Sequence, residues 1–229
     1  MAAIALVNKT YAQQAVGSKV QNITVPATTA GNLIVVCVMA GNGNNRVTSV
    51  TDNATGGSNT YVQCTGARSA VTTGINGNRR FSDIWYCEGA ARGGATTITV
   101  NFNNNTANFP SGVGVLEYSG ALSTGAFLTA GANSGSANPA VCPSLSVSTD
   151  GDVLVTCITL AGGSVTSVAS PWTLELNGQH GVVDYSGVAT GTYNASITFA
   201  TGPWCASAVN FANVEGGSMS ELLLRKVGA

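Results

Sequence analysis

Charge is scarce in this chain. Only 8% of its 229 residues are Asp, Glu, Lys or Arg, and the net charge is −1. An ordinary soluble protein carries about 25%. That argues against nucleic acid as a partner, because phosphate binding needs a surplus of Lys and Arg. It argues against a polybasic contact with a membrane surface for the same reason. No apolar run reaches the ~18 residues of a membrane-spanning helix. The opening "MAAIALVNKTYAQQ" has neither the basic start nor the apolar length of a secretion signal, so a chain without a leader is expected. Histidine occurs once, as His180, and no C-x-x-C pair exists. Structural zinc sites and cofactors are therefore not expected.

What the chain has is glycine and alternation. Its 29 glycines cluster with Asn and Ser in stretches such as "AGNGNN", "DNATGGSN" and "AGANSGSANP", the composition of tight turns. Between them "TTITVNF" places Ile98, Val100 and Phe102 on one face and Thr97, Thr99 and Asn101 on the other. "TYNASITF" repeats the pattern. A period of two with β-branched residues predicts half-buried strands. No helical period is evident before residue 200.

The chain also repeats itself. "GNLIVVCVMAG" (31–41) returns as "GDVLVTCITLAG" (151–162), with Cys37 and Cys157 in step. "VTSV" occurs at 47–50 and 165–168, and residues 86–102 are echoed by 184–200. The order of pieces is the same each time. These matches predict an all-β protein of two tandem homologous antiparallel β-sandwich units, 1–121 and 122–214, of jelly-roll or immunoglobulin-like type. In "LIVVCVM" both strand faces are apolar, so the strand needs cover on both sides. The other unit, a long loop or a second subunit could provide it. Burying three such side chains contributes about 5–8 kcal/mol before entropy.

Residues 215–229 break the pattern. Ser218 and Glu221 have capping-box spacing, and Arg225 and Lys226 fall in the last turn. A short C-terminal helix or arm is expected, docking through Leu222, Leu223, Leu224 and Val227.

Candidate chemistry is thin. The ten acids read as surface or strand-end groups, with Asp83, Asp184 and Glu117 the ones to weigh as a glycosidase pair. His180 lies in the turn "NGQHG", with no G-x-S-x-G elbow to serve. Asp52 and Asn53 in "DNATGGSN" supply one carboxylate, too few for calcium. Trp85, Trp172 and Trp204 are either core side chains or a sugar-stacking platform. The six cysteines, Cys37, Cys64, Cys87, Cys142, Cys157 and Cys205, leave two possibilities open. Cys64 with Cys87 and Cys142 with Cys205 close plausible bridges, or all are free buried thiols.

The ordered string "GNLIVV…VTSVTDN…NTYV…IWYCEGA…GGATTITVNF…VLEYSGA" resembles a widespread β-sandwich family of tailed-phage virion and bacterial surface proteins. These motifs are turn glycines and strand cores, and the family offers no agreed catalytic residues. The resemblance implies a structural bacteriophage protein, a capsid decoration protein before a tail or fibre component, assembled in the host cytoplasm. It would be non-enzymatic and would work by packing against itself, as a homo-oligomer, and against other virion proteins. The alternative is a carbohydrate-binding module or adhesin, extracellular or at the cell surface.

Overall fold

The computed structural model describes residues 4–14, 18–40, 46–72, 79–103, 111–178 and 180–214. The C-terminal docking segment, with Leu222, Leu223, Leu224 and Val227, lies outside the described residues. Within them every regular element is a strand. Nine strands come first: β1 (Ala5–Gln14), β2 (Val20–Thr24), β3 (Leu33–Ala40), β4 (Val47–Asp52), β5 (Val62–Gln63), β6 (Ser69–Thr72), β7 (Arg79–Cys87), β8 (Thr97–Phe102) and β9 (Ser111–Ser119). Ten follow: β10 (Phe127–Gly135), β11 (Ala140–Val141), β12 (Leu145–Val147), β13 (Asp152–Leu160), β14 (Val165–Val168), β15 (Thr173–Asn177), β16 (Gly181–Val188), β17 (Gly191–Tyr193), β18 (Ser196–Phe199) and β19 (Trp204–Phe211).

The strands form antiparallel sheets that pack on one another. One runs β1-β9-β3-β7-β5, with β6 also on β7, and is covered by β2-β8-β4. The other large sheet runs β10-β19-β13-β16-β15 and is covered by β11-β18-β14 and β12-β17. The two large sheets have the same strand order when β3 is set on β13. The glycine that opens each repeat, Gly31 and Gly151, has a φ of +88° and +93° respectively. Only glycine adopts that turn without strain, so it stands there in both copies.

Alternation explains the covering sheets. In β8, Ile98, Val100 and Phe102 are buried while Thr97, Thr99 and Asn101 are half-buried. Residues Ile34, Val36 and Val38 of β3 meet Ile23, Ile98 and Val100 in one core. Leu154, Ile158 and Leu160 of β13 meet Ile197, Phe199 and Trp204 in a second.

The doubly apolar strands need a third core, and it lies between the large sheets. Leu33, Val35, Cys37 and Met39 pack there with Val153, Val155, Cys157, Val209 and Phe211. Every residue of β3 and β13 is buried as a result. The cover for the second face is therefore the other half of the same chain, and no neighbouring subunit is required for it. Polar contacts stitch this seam: Ser82 to Ser207 (2.8 Å), Thr159 Oγ1 donating to the Phe81 carbonyl (2.8 Å), and Ser69 Oγ donating to the Asn133 carbonyl (2.6 Å).

Candidate functional site

Four of the acids read as surface groups are buried: Asp83, Asp152, Glu117 and Asp184. Each is buried among hydrogen-bond donors that the fold brings in from distant parts of the chain, which a carboxylate removed from water requires. Glu117 Oε1 accepts from the Thr29 N–H and the Asn32 amide, both at 2.7 Å, and Oε2 accepts from the Asn8 amide at 2.8 Å. It ties β1 and the turn before β3 to β9. Asp152 accepts from the Asn210 amide at 3.1 Å. Asp83 accepts from the Gln63 amide at 2.9 Å. Burial pushes the Asp83 carboxyl up to about 6, against the pull of the Gln63 hydrogen bond and the Arg68 charge.

The turn "DNATGGSN" is closed by its own donors. Asp52 Oδ1 accepts from the Ala54 and Asn59 N–H groups, and Oδ2 from the Asn59 amide (2.8 Å) and the Tyr61 hydroxyl (3.0 Å). Asn53 Oδ1 accepts from the Thr96 and Thr97 N–H groups. Their oxygens are thus turned to hydrogen-bond donors, an arrangement suited to a structural staple. No group of three or more His, Cys, Asp or Glu among the described residues is arranged to hold a metal.

His180 is buried instead of standing in an open turn, and its Nδ1 accepts from the Leu160 N–H at 3.3 Å. That bond fixes Nδ1 as the unprotonated nitrogen. The three tryptophans do not form a shared surface. Trp172 and Trp204 are buried in the core beneath β11-β18-β14, while the half-buried Trp85 packs on the core of the other half. A three-ring sugar platform is not assembled.

All six cysteines are free and buried. Neither expected bridge is present: Cys64 lies in the seam core and Cys87 in the core under β2-β8-β4. Burial raises the thiols of Cys64, Cys142 and Cys157, and pushes that of Cys87 up to about 11. Such thiols are poor nucleophiles.

The densest polar constellation spans one end of the seam. Tyr118 of β9, wholly buried, donates its hydroxyl to Asp184 Oδ2 of β16 at 2.8 Å. Lys9 of β1 donates to Glu175 Oε2 of β15 at 2.8 Å. The Lys9 side chain is 47% exposed and that of Glu175 8%, so the pair runs from solvent inward. Burial pushes the Asp184 carboxyl up to about 6, and Glu175 beside it adds to the rise. The grouping is not legible from local pattern, because its members come from four strands. A shallow recess of about 10 Å³ near β1 is lined in part by Val25, Pro26, Thr28 and Val115 and has room for one water at most.

No protein-family model matches the chain, nor does any curated protein or solved structure.

Proposed function

We propose that this chain is a structural, non-enzymatic protein of a bacteriophage particle, a capsid decoration protein built as two tandem β-sandwich units. The observation that carries this reading is how the acids are used. Every acid among the described residues accepts a hydrogen bond from its own chain, down to Glu88 from the Ala126 N–H and the exposed Asp150 from Thr190. Carboxylates so engaged serve to hold turns and strands together.

Because the seam covers the second face of β3 and β13, contact with neighbours falls to the outer sheets and to the C-terminal segment. The outer face of β2-β8-β4 is suited to that work. Asn22, Thr99 and Thr51 stand side by side in register. Asn22 Oδ1 accepts from Thr99 (2.9 Å), and the Asn101 amide donates to Ser49 (3.0 Å). Short, uncharged side chains already ordered by cross-strand hydrogen bonds lose little entropy on docking. The same surface suits assembly as a homo-oligomer with other virion proteins around it.

Mass spectrometry and labelled electron microscopy of purified particles test this. The protein should be found in the particle at many copies, and a chain lacking residues 216–229 should bind stripped particles more weakly. Its absence from particles of the source would end the proposal.

A further inference from the structure

We propose that the seam between the two large sheets is a homodimer interface held within one chain, and that a second copy of this chain can close it by exchanging halves. The inference goes beyond the virion reading and does not depend on it. Its first support is the equivalence of the halves around β3 and β13. Setting Leu33 on Val153 sets Tyr118 on Phe211 and Glu117 on Asn210, through their pairings in register. It also sets Asn8 on Thr129, and the same bulge precedes each, between Leu6 and Asn8 and between Phe127 and Thr129. A second bulge recurs in "VTSV", between Val47 and Ser49 and between Val165 and Ser167. Bulges are retained features of a fold. A buried hydrogen bond also recurs, with its ends reversed. The Asn32 amide donates to Glu117 in one half (2.7 Å), and the Asn210 amide donates to Asp152 in the other (3.1 Å).

The second support is how the halves meet. Across a two-fold axis, a contact from one residue to another is matched by the same contact made in reverse. Asp184 pairs with Val155 as Tyr86 pairs with Val35, so Tyr86 and Asp184 are counterparts. Tyr118 meets Asp184 at 2.8 Å at one end of the seam. Their counterparts, Phe211 and Tyr86, meet at the other, with ring centres 5.5 Å apart. Likewise β1 packs on β15 beside β16, and its counterpart β10 packs on β6 beside β7. In the middle β3 packs on β13, its own counterpart. A face so arranged fits the same face of a second copy.

The third support is the link between the halves, the seven residues 120–126 from β9 to β10. Fully extended, such a link reaches roughly 23–25 Å, more than twice the ~10 Å between packed sheets. It is long enough to pass the second half to a neighbouring chain without unpairing β9 or β10. Gly120 and Gly125 fold it back, with φ of +79° and +70°. The ties to be released are local, such as the Leu122 N–H to the Ala212 carbonyl (3.0 Å) and the Ala126 N–H to Glu88 (2.7 Å). Each seam contact joins one half to the other, so the exchanged dimer remakes all of them. A closed chain offers its own second half at a concentration on the order of millimolar. Chains folded when dilute therefore stay single, and chains folded near that concentration exchange.

Refolding the full chain from urea at micromolar and at millimolar protein, followed by light scattering on a sizing column, tests this. The dilute sample should be monomeric and the concentrated one should contain a dimer. Gly125→Val should raise the dimer association constant by about tenfold or more, because a β-branched residue strains the closed link, while a Cβ there meets nothing within 4 Å. To read the exchange itself, Ser82→Cys and Ser207→Cys chains are refolded together and treated with a thiol oxidant. The two hydroxyls lie 2.8 Å apart across the seam, so a disulfide from position 82 of one chain to position 207 of the other is expected in the dimer. A chain that is monomeric at both concentrations, a dimer without that bond, or no effect of Gly125→Val overturns the proposal. If the cysteine variants do not fold, dilution of the wild-type dimer decides. A dimer that separates only as slowly as the seam opens upholds the exchange, and one that separates at once on dilution sinks it.

Discussion

Ser82 and Ser207 share a hydrogen bond of 2.8 Å across the seam, and both side chains are wholly buried. The two strands that carry them, β7 and β19, belong to different large sheets. Each hydroxyl is the other's escape from an unsatisfied state. Ser82→Ala or Ser207→Ala should each cost about 1–2 kcal/mol, because one hydroxyl is left buried and orphaned. The double variant should cost clearly less than the sum. Urea unfolding of the four chains gives the coupling directly. Strictly additive losses would mean that the pair does not hold the seam.

Glu117 should prove one of the costliest acids to remove. Three donors from Asn8, Thr29 and Asn32 converge on it, and all would be stranded in Glu117→Ala. The expected loss is about 2–4 kcal/mol. Glu117→Gln, which keeps the shape but turns an N–H₂ group towards a donor, should fall between wild type and alanine. Equilibrium denaturation checks both, and an alanine variant as stable as wild type would contradict the buried network.

The thiols offer a quicker check. With all six cysteines free and buried, a maleimide reagent at pH 8 should leave the native chain unlabelled and label six sites once it is unfolded. A reducing agent should not change the melting temperature. Labelling of fewer than six sites in the unfolded, unreduced chain would reveal a bridge.

Most of the strand content was legible in the sequence, because strands with one wet face alternate. Thr97–Phe102 is such a case, and its burial follows the letters. The doubly apolar face of Leu33–Ala40 announced a need for cover, but several covers were equally compatible with it. The choice depends on residues about 120 positions away, which local pattern does not record. The acids were misjudged for a related reason. A carboxylate is read as a surface group unless its donors are visible, and those of Glu117 lie 85 to 109 positions off in sequence. Glu175 was hidden further by the β-bulge between Leu174 and Leu176, since "TLELN" read with a strict period of two puts those two leucines on one face. In the fold they belong to different cores.

The shared middle layer bears on the order of events at the ribosome. When β9 has been synthesised, Leu33, Val35, Cys37 and Met39 have no partner, because Val153, Val155 and Cys157 are still to be translated. For that interval the nascent chain presents a broad greasy sheet, the kind of surface that chaperones bind and that aggregates at high concentration. A ribosome-held chain ending just after Ser119 should light up a hydrophobic dye to which the finished protein is dark. Synthesis of the second half is then the step that makes the first half safe to release.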